Sequence, residues 1–163
     1  MNKIKILIPI YNDWQSVFKL LENINLESSL LEGEFSVIII NDASTENKPE
    51  LLTNLENLKS VQVINMRKNK GHARCNAAGM KYINEKEEFD YIIPMDGDGE
   101  DRPEELRLLI EKIKSFPNTV ITADRVKRSE GFIFKFCYSV HKYLTFVFTG
   151  QNIKYGNYTC IPK

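Results

Sequence analysis

What most limits the folding of this chain is a rhythm of short apolar runs, each of strand length and each followed by a polar or turn-forming stretch: Ile4 to Ile8, Phe35 to Ile40, Val61 to Met66, Tyr91 to Met95 and Val120 to Ala123. Runs this continuous suit a parallel sheet covered on both faces, because a sheet with one wet face alternates polar and apolar residues. Helical patterns occupy the gaps. Asp13 can cap a helix carrying Val17, Leu20, Leu21 and Ile24, and a second helix is expected after Asn47, with Pro49 near its first turn. A third is expected from about Gly71 to Asn84, and a fourth from Pro103, with Leu106, Leu109, Ile110 and Ile113 on one face. Strand and helix in alternation define the α/β class, with a mainly parallel sheet and helices on both faces. At 163 residues and 42% hydrophobic content, the chain is expected to build a single domain, residues 1–163, around its own core.

Lys and Arg total 22 and Asp and Glu total 22, so no overall field draws the chain to nucleic acid and any binding surface must be local. Cys75, Cys137 and Cys160 are odd in number and form no Cys-x-x-Cys pair. That argues against a disulfide framework or a zinc knuckle and suits a reducing cytosol. The N-terminus enters an apolar run broken by Pro9, unlike a signal peptide. No segment reaches the roughly 20 apolar residues of a membrane span. The nearest approach, Gly131 to Gly150, is interrupted by Lys135, His141 and Lys142. Its aromatic residues, with Lys127, Arg128, Lys135 and Lys142, suit an amphipathic helix on an anionic membrane surface and equally a covering helix packed on the sheet.

In an open parallel sheet, ligands bind beyond the carboxyl ends of the strands, where strand order reverses. Three of the expected strands end in polar clusters: Pro9-Ile10-Tyr11-Asn12-Asp13, Asn41-Asp42-Ala43-Ser44 and Asp96-Gly97-Asp98-Gly99-Glu100-Asp101. An aromatic ring, a carboxylate able to accept from a base N–H, and paired carboxylates beside small glycines are the parts of a nucleoside diphosphate pocket with a divalent cation. Hard carboxylate oxygens suit magnesium or manganese, and Gly97 allows close backbone approach. Taken alone, the acidic cluster is equally a solvated turn. An EF-hand is ruled out, since counting from Asp96 puts Asp101 where glycine is needed and Arg107 where the bidentate glutamate belongs. A phosphoryl-transfer nucleophile at Asp96 stays open. Arg67 to Arg74 supplies cations at an expected helix start, a weak diphosphate clamp with neither a Walker loop nor a Gly-x-Gly-x-x-Gly fingerprint. His72 and His141 read as ordinary surface or packing histidines, because neither has an acidic or histidine partner at ligand spacing. Tyr11, read alone, has a core aromatic as its alternative reading.

Together these clusters resemble the family 2 glycosyltransferases, and within them the polyprenyl-phosphate, dolichol-phosphate mannosyltransferase-like branch. The matching pieces are Ile8-Pro9-Ile10-Tyr11-Asn12, Ile40-Asn41-Asp42-Ala43-Ser44, Asn69-Lys70-Gly71-His72 with Gly79, and Met95 through Pro103; Arg125 to Glu130 and Gly156-Asn157-Tyr158 are similar to that branch as well. The resemblance implies a GT-A, Rossmann-like fold and a nucleotide-sugar site made by Pro9, Tyr11, Asn12, Asp13, Asp42, Ser44, Lys70, Arg74, Asp96 and Gly97. In that site Pro9, Tyr11 and Asn12 line the base pocket and Asp42 reads the base edge. Asp13 stands where the family commonly has glutamate, and Asn41 where it often has aspartate. Asp96 faces ribose or metal, Asp98 ligates the metal, and Lys70 or Arg74 approaches the phosphates. Arg125, Lys127 and Arg128 hold donor or acceptor phosphate.

The implied reaction is metal-dependent transfer of a sugar, with inversion, from a UDP- or GDP-linked donor to an acceptor such as a polyprenyl phosphate in cell envelope polysaccharide assembly. Mg2+ or Mn2+ is the expected cofactor, with Asp96 and Asp98 as catalytic residues. The expected location is the cytoplasmic side, at the cytosolic face of the membrane, and a homo-oligomer is compatible with the sequence. Chains of the family normally continue past the position of Lys163, so acceptor-side and membrane elements are expected beyond it. Two other classes fit the same residues: a catalytically silent nucleotide-sugar-binding module, and a phosphoryl-transfer enzyme acting through Asp96.

Overall fold

The computed structural model describes residues 1–50, 54–123, 140, 147, 148, 150 and 158–163. Its strands are β1 (Lys3–Ile10), β2 (Glu34–Asn41), β3 (Ser60–Asn65), β4 (Tyr91–Pro94), β5 (Ile121–Thr122) and β6 (Thr159–Pro162). Its helices are α1 (Trp14–Ser28), α2 (His72–Lys86) and α3 (Leu106–Ser115), the last preceded by a 3-10 turn at Pro103–Glu105. Among the described residues the strands form one sheet in the order β3-β2-β1-β4-β6-β5. β1 pairs in parallel with both β2 and β4, and β2 with β3. β6 runs antiparallel to β4, and β5 antiparallel to β6. The result is the mainly parallel sheet that the apolar rhythm implies, in the GT-A, Rossmann-like form that the family resemblance implies.

Both faces of the sheet are covered, and the period of two along each strand decides which residue goes where. On one face Ile4, Ile6 and Ile8 of β1 and Phe35, Val37 and Ile39 of β2 join Val17, Leu21 and Ile24 of α1 and Leu106, Ile110 and Ile113 of α3. On the other, Leu7, Ile38 and Ile40 meet Cys75 and Ile83 of α2. Gly79 makes that second contact close: a Cβ there would sit 2.3 Å from Leu7 Cδ1 and 3.0 Å from Ile40 Cγ1, both on fully buried or nearly buried residues. Lys5 also points to the α2 face, where its Nζ lies 2.9 Å from Glu87 at the helix end.

The helix expected after Asn47 is absent from 47–50 and 54–59. A turn takes its place, with Leu58 N–H donating to the Leu55 carbonyl and Asn57 N–H to the Asn25 side chain on α1. Asn25 is itself buried, so this side-chain acceptor satisfies backbone that a helix would otherwise have to satisfy internally. The expected helix over 131–150 lies outside the described residues apart from 140, 147, 148 and 150, of which Val147 and Phe148 are exposed. Among the described residues no helix is long and apolar enough to cross a membrane.

The site follows from the topology. From β1 the chain moves outward to β2 and β3, then returns to place β4 on the other side of β1. Strand order therefore reverses between β1 and β4, and the loops leaving their carboxyl ends diverge to open a crevice.

Candidate functional site

A cleft of ≈ 240 Å³ occupies that crevice, lined by Pro9, Ile10, Tyr11, Asp13, His72, Asp96, Gly97 and Asp98. The β1 loop supplies one wall, the β4 loop the other, and the first residue of α2 closes a corner. Among the described lining side chains three are carboxylates and one is basic, a balance that favours a cation. Gly97 permits this proximity: a Cβ there would come within 3.2 Å of the Pro9 carbonyl oxygen and of Ile10 Cγ2. Tyr11, 49% exposed, belongs to the cleft rather than to the core.

Two of the three carboxylates accept from backbone N–H groups. Asp13 caps α1, accepting from Ser16 N–H at 3.3 Å. Asp98 Oδ1 accepts from Glu100 N–H at 2.9 Å. Asp96 donates its own N–H to the buried Asp101 carboxylate at 2.9 Å, while its Oδ1 lies 3.3 Å from His72 Nε2. Tyr158, buried beside this loop, donates its hydroxyl to the Arg102 carbonyl, and burial followed by the nearby Asp101 charge raises its pKa. No donor among the described residues engages Oδ2 of Asp96 or Asp98. Carboxylate oxygens without a donor suit a hard cation, and no group of three or more His, Cys, Asp and Glu ligands forms among the described residues. A cation held by one or two carboxylates and completed by substrate phosphates is the arrangement Mg2+ prefers. The residues present therefore fit Mg2+ or Mn2+.

Behind the cleft, hydrogen bonds tie three loops together. Asn12, at φ 54°, donates its N–H to Ser44 Oγ, and its Oδ1 accepts from the N–H groups of Thr45 and Glu46. Ser44 N–H donates in turn to Asn41 Oδ1. Asp42 is 3% exposed, and its two oxygens accept from Lys70 N–H at 2.8 Å and Gly71 N–H at 2.7 Å. Gly71 adopts φ 82°, a left-handed value that glycine reaches without steric cost. Burial pushes the Asp42 carboxyl up, but donation from Lys70 N–H, the Cys75 thiol and Gly71 N–H outweighs it and the net pKa is lowered. Burial, then Asp42, raises the Cys75 thiol to about 12, so this cysteine is an inert donor.

Of the residues expected at the site, Pro9, Tyr11, Asp13, Asp96, Gly97 and Asp98 line one cleft. Asn12, Asp42 and Ser44 adjoin it as the loop braces just described. Lys70 and Arg74 are exposed at the same corner without lining the cleft. Arg125, Lys127 and Arg128 lie outside the described residues. The sequence reading missed His72, whose acidic partner is remote in the chain, and the buried Asp101, which looked like one more solvated acid. The position of His72 directly after Gly71, at the start of a helix, was the available signal.

A family-level description, "Glycosyl transferase family 2", matches residues 5–162. The undecaprenyl-phosphate 4-deoxy-4-formamido-L-arabinose transferase of Proteus mirabilis is 27% identical over 163 residues, covering 100% of this chain and 48% of its own length. The enzyme of the same name from Yersinia enterocolitica is 27% identical over 165 residues, with the same two shares. The chain thus spans about half the length of these curated relatives. Among solved structures, a mannosyltransferase from Pyrobaculum calidifontis in complex with GDP-Man and Mn2+ superposes with a TM-score of 0.60 at 16% identity, over 78% of this chain and 36% of that one. TarS of S. aureus in complex with UDP-GlcNAc gives 0.57 at 19%, over 79% and 36%. These two support the fold. With the family description matching nearly end to end, the chain belongs to glycosyl transferase family 2.

Proposed function

We propose that this chain is the donor-binding part of a glycosyltransferase that moves a sugar from a nucleoside diphosphate to a polyprenyl phosphate, with Mg2+ or Mn2+ held by Asp96 and Asp98. The observation that carries this reading is the pair of strand-end carboxylates, each with a free Oδ2, in a cleft whose charge calls for a cation. The names of the Proteus and Yersinia relatives, which include undecaprenyl phosphate, support the acceptor class, and the neighbours solved with GDP-Man and Mn2+ or with UDP-GlcNAc support the donor class. An acceptor of that kind puts the reaction at a membrane surface, here proposed as its cytosolic face.

In this reading Tyr11 offers its exposed ring to the base. Pro9 and Asp13 flank the ribose end. Asp42 holds the α2 corner, and a base N–H approaching it would share oxygens that already accept from Lys70 and Gly71. Because His72 begins α2 and lines the cleft, the positive end of that helix dipole meets the diphosphate. The cation, when bound, neutralises the departing diphosphate, which is electrostatic catalysis. A phosphate acceptor is already anionic near neutral pH and needs no strong general base. Arg125, Lys127 and Arg128 are proposed for phosphate contacts from the sequence alone.

The test is titration calorimetry with UDP, GDP and ADP, with and without Mn2+. Binding of UDP or GDP in preference to ADP, only with the metal, and weakened at least about tenfold by Asp98→Ala, is expected, because uncompensated carboxylate and phosphate charges repel. Parent-like affinity in Asp98→Ala with Mn2+ present would overturn the assignment. A second reading is a nucleotide-sugar-binding module that transfers nothing. Donor binding without any transfer to undecaprenyl phosphate would select it.

A further inference from the structure

The sequence reading takes His72 for an ordinary surface or packing histidine, yet among the described residues it is the one basic side chain that lines the cleft. Its Nε2 faces two groups at once, Asp96 Oδ1 at 3.3 Å and the Asn76 side-chain amide at 2.9 Å. Asn76 is four residues further along α2, so helix geometry places it beside His72 on one face. A ring nitrogen either carries a hydrogen and donates or presents a lone pair and accepts. If Nε2 accepted from the Asn76 amide, its lone pair would also face the Asp96 carboxylate, and that contact would be repulsive. If Nε2 carries the hydrogen, Asp96 is an acceptor, and Asn76 satisfies the arrangement by presenting oxygen. A half-turn of the amide does this, since its oxygen and nitrogen occupy equivalent positions.

We propose that His72 is a positioning residue: its Nε2–H, held between Asn76 and Asp96, fixes the Asp96 carboxylate so that Oδ2 is presented into the cleft to the divalent cation. This rests on the metal-dependent donor site proposed above. It also gives α2 a second attachment to the site. Asp42 anchors the residues just before the helix through backbone N–H groups, and His72 joins its first turn to the β4 loop. Partners that orient a ligating carboxylate typically change metal affinity about 10–100-fold when removed.

Two measurements test it. The first needs no metal: side-chain 15N NMR of the metal-free protein should place the proton of the neutral His72 ring on Nε2. A proton on Nδ1 would overturn the proposal. The second is Mn2+ affinity by water-proton relaxation, with UDP and separately with GDP present. His72→Leu should weaken Mn2+ about 10–100-fold, and His72→Gln, whose amide N–H reaches close to the place of Nε2–H, should recover most of that loss. His72 is half-exposed, so neither variant should shift the melting temperature appreciably, which separates positioning from folding. Parent-like Mn2+ affinity in His72→Leu would overturn the role of His72 alone. A parent protein that takes up no Mn2+ with either nucleotide would overturn the donor-site reading and this inference together.

Discussion

At the scale of single residues, burial separates groups that do chemistry from groups that hold it in place. Asp98 is exposed and Asp96 half-buried, whereas Asp42 and Asp101 are each 3% exposed; Asp42 accepts backbone N–H groups on both oxygens and Asp101 accepts one on Oδ2. In sequence all four sit in polar clusters at strand ends. The distinction matters for pH. The folded pKa of Asp42 lies below its ordinary value of 3.8, so the stability it contributes is complete above that value and is lost as pH falls through the lower folded one. Asp42→Asn keeps one acceptor oxygen instead of two and should lose about 1.5–3 kcal/mol near neutral pH, the usual worth of hydrogen bonds to a charged group. Urea midpoints of parent and variant at about pH 7 and about pH 3 check this, with the gap narrowing in acid because only the parent is losing charge there. A gap of constant size would mean that the carboxylate charge contributes nothing.

At the scale of elements, α2 is attached at both ends and in the middle. Gly79 lets it lie directly on Leu7 and Ile40. At its far end the Lys5–Glu87 pair is shielded from solvent, with Gln62 donating to the second Glu87 oxygen at 3.2 Å. The hydrogen bond from Lys5 is the main reason the Glu87 carboxyl is held below its ordinary range, with burial opposing it. Glu87→Ala would leave a buried ammonium unpaired, a loss of about 3–5 kcal/mol. Denaturant unfolding should register it, while nucleotide affinity stays at the parent value under conditions where the variant is folded, because the pair sits away from the cleft-lining residues. The helices were legible from periodicity where an apolar stripe meets the sheet, as in α1, α2 and α3. The helix expected after Asn47 was not, because a side chain from α1, Asn25, satisfies that backbone instead. No local pattern announces an acceptor that arrives from another element.

At the scale of the whole molecule, binding and stability are linked, because a ligand that recognises only the folded cleft shifts unfolding by mass action. Saturating UDP or GDP with Mn2+, at about 100 times the dissociation constant, should add about 2.7 kcal/mol. For a chain of this size that raises the melting temperature by roughly 5–10 °C. Scanning calorimetry should see this shift vanish on adding EDTA; a shift that survives chelation would remove the metal from the donor site. What the sequence determined by itself was the class of fold and which polar clusters stand at strand ends, where the candidate cleft lies. Apolar period and turn residues are local properties, and they place Pro9–Asp13, Asn41–Ser44 and Asp96–Asp101 at strand ends before any coordinates exist. Only the tertiary structure decided which of those residues face the cleft and which brace it. The deciding contacts, His72 with Asp96, Asn12 with Ser44, and Asp42 with Lys70 and Gly71, join segments remote in the chain. The order of strands brings them together, and a hydrogen bond between distant residues leaves no trace in the local pattern of either.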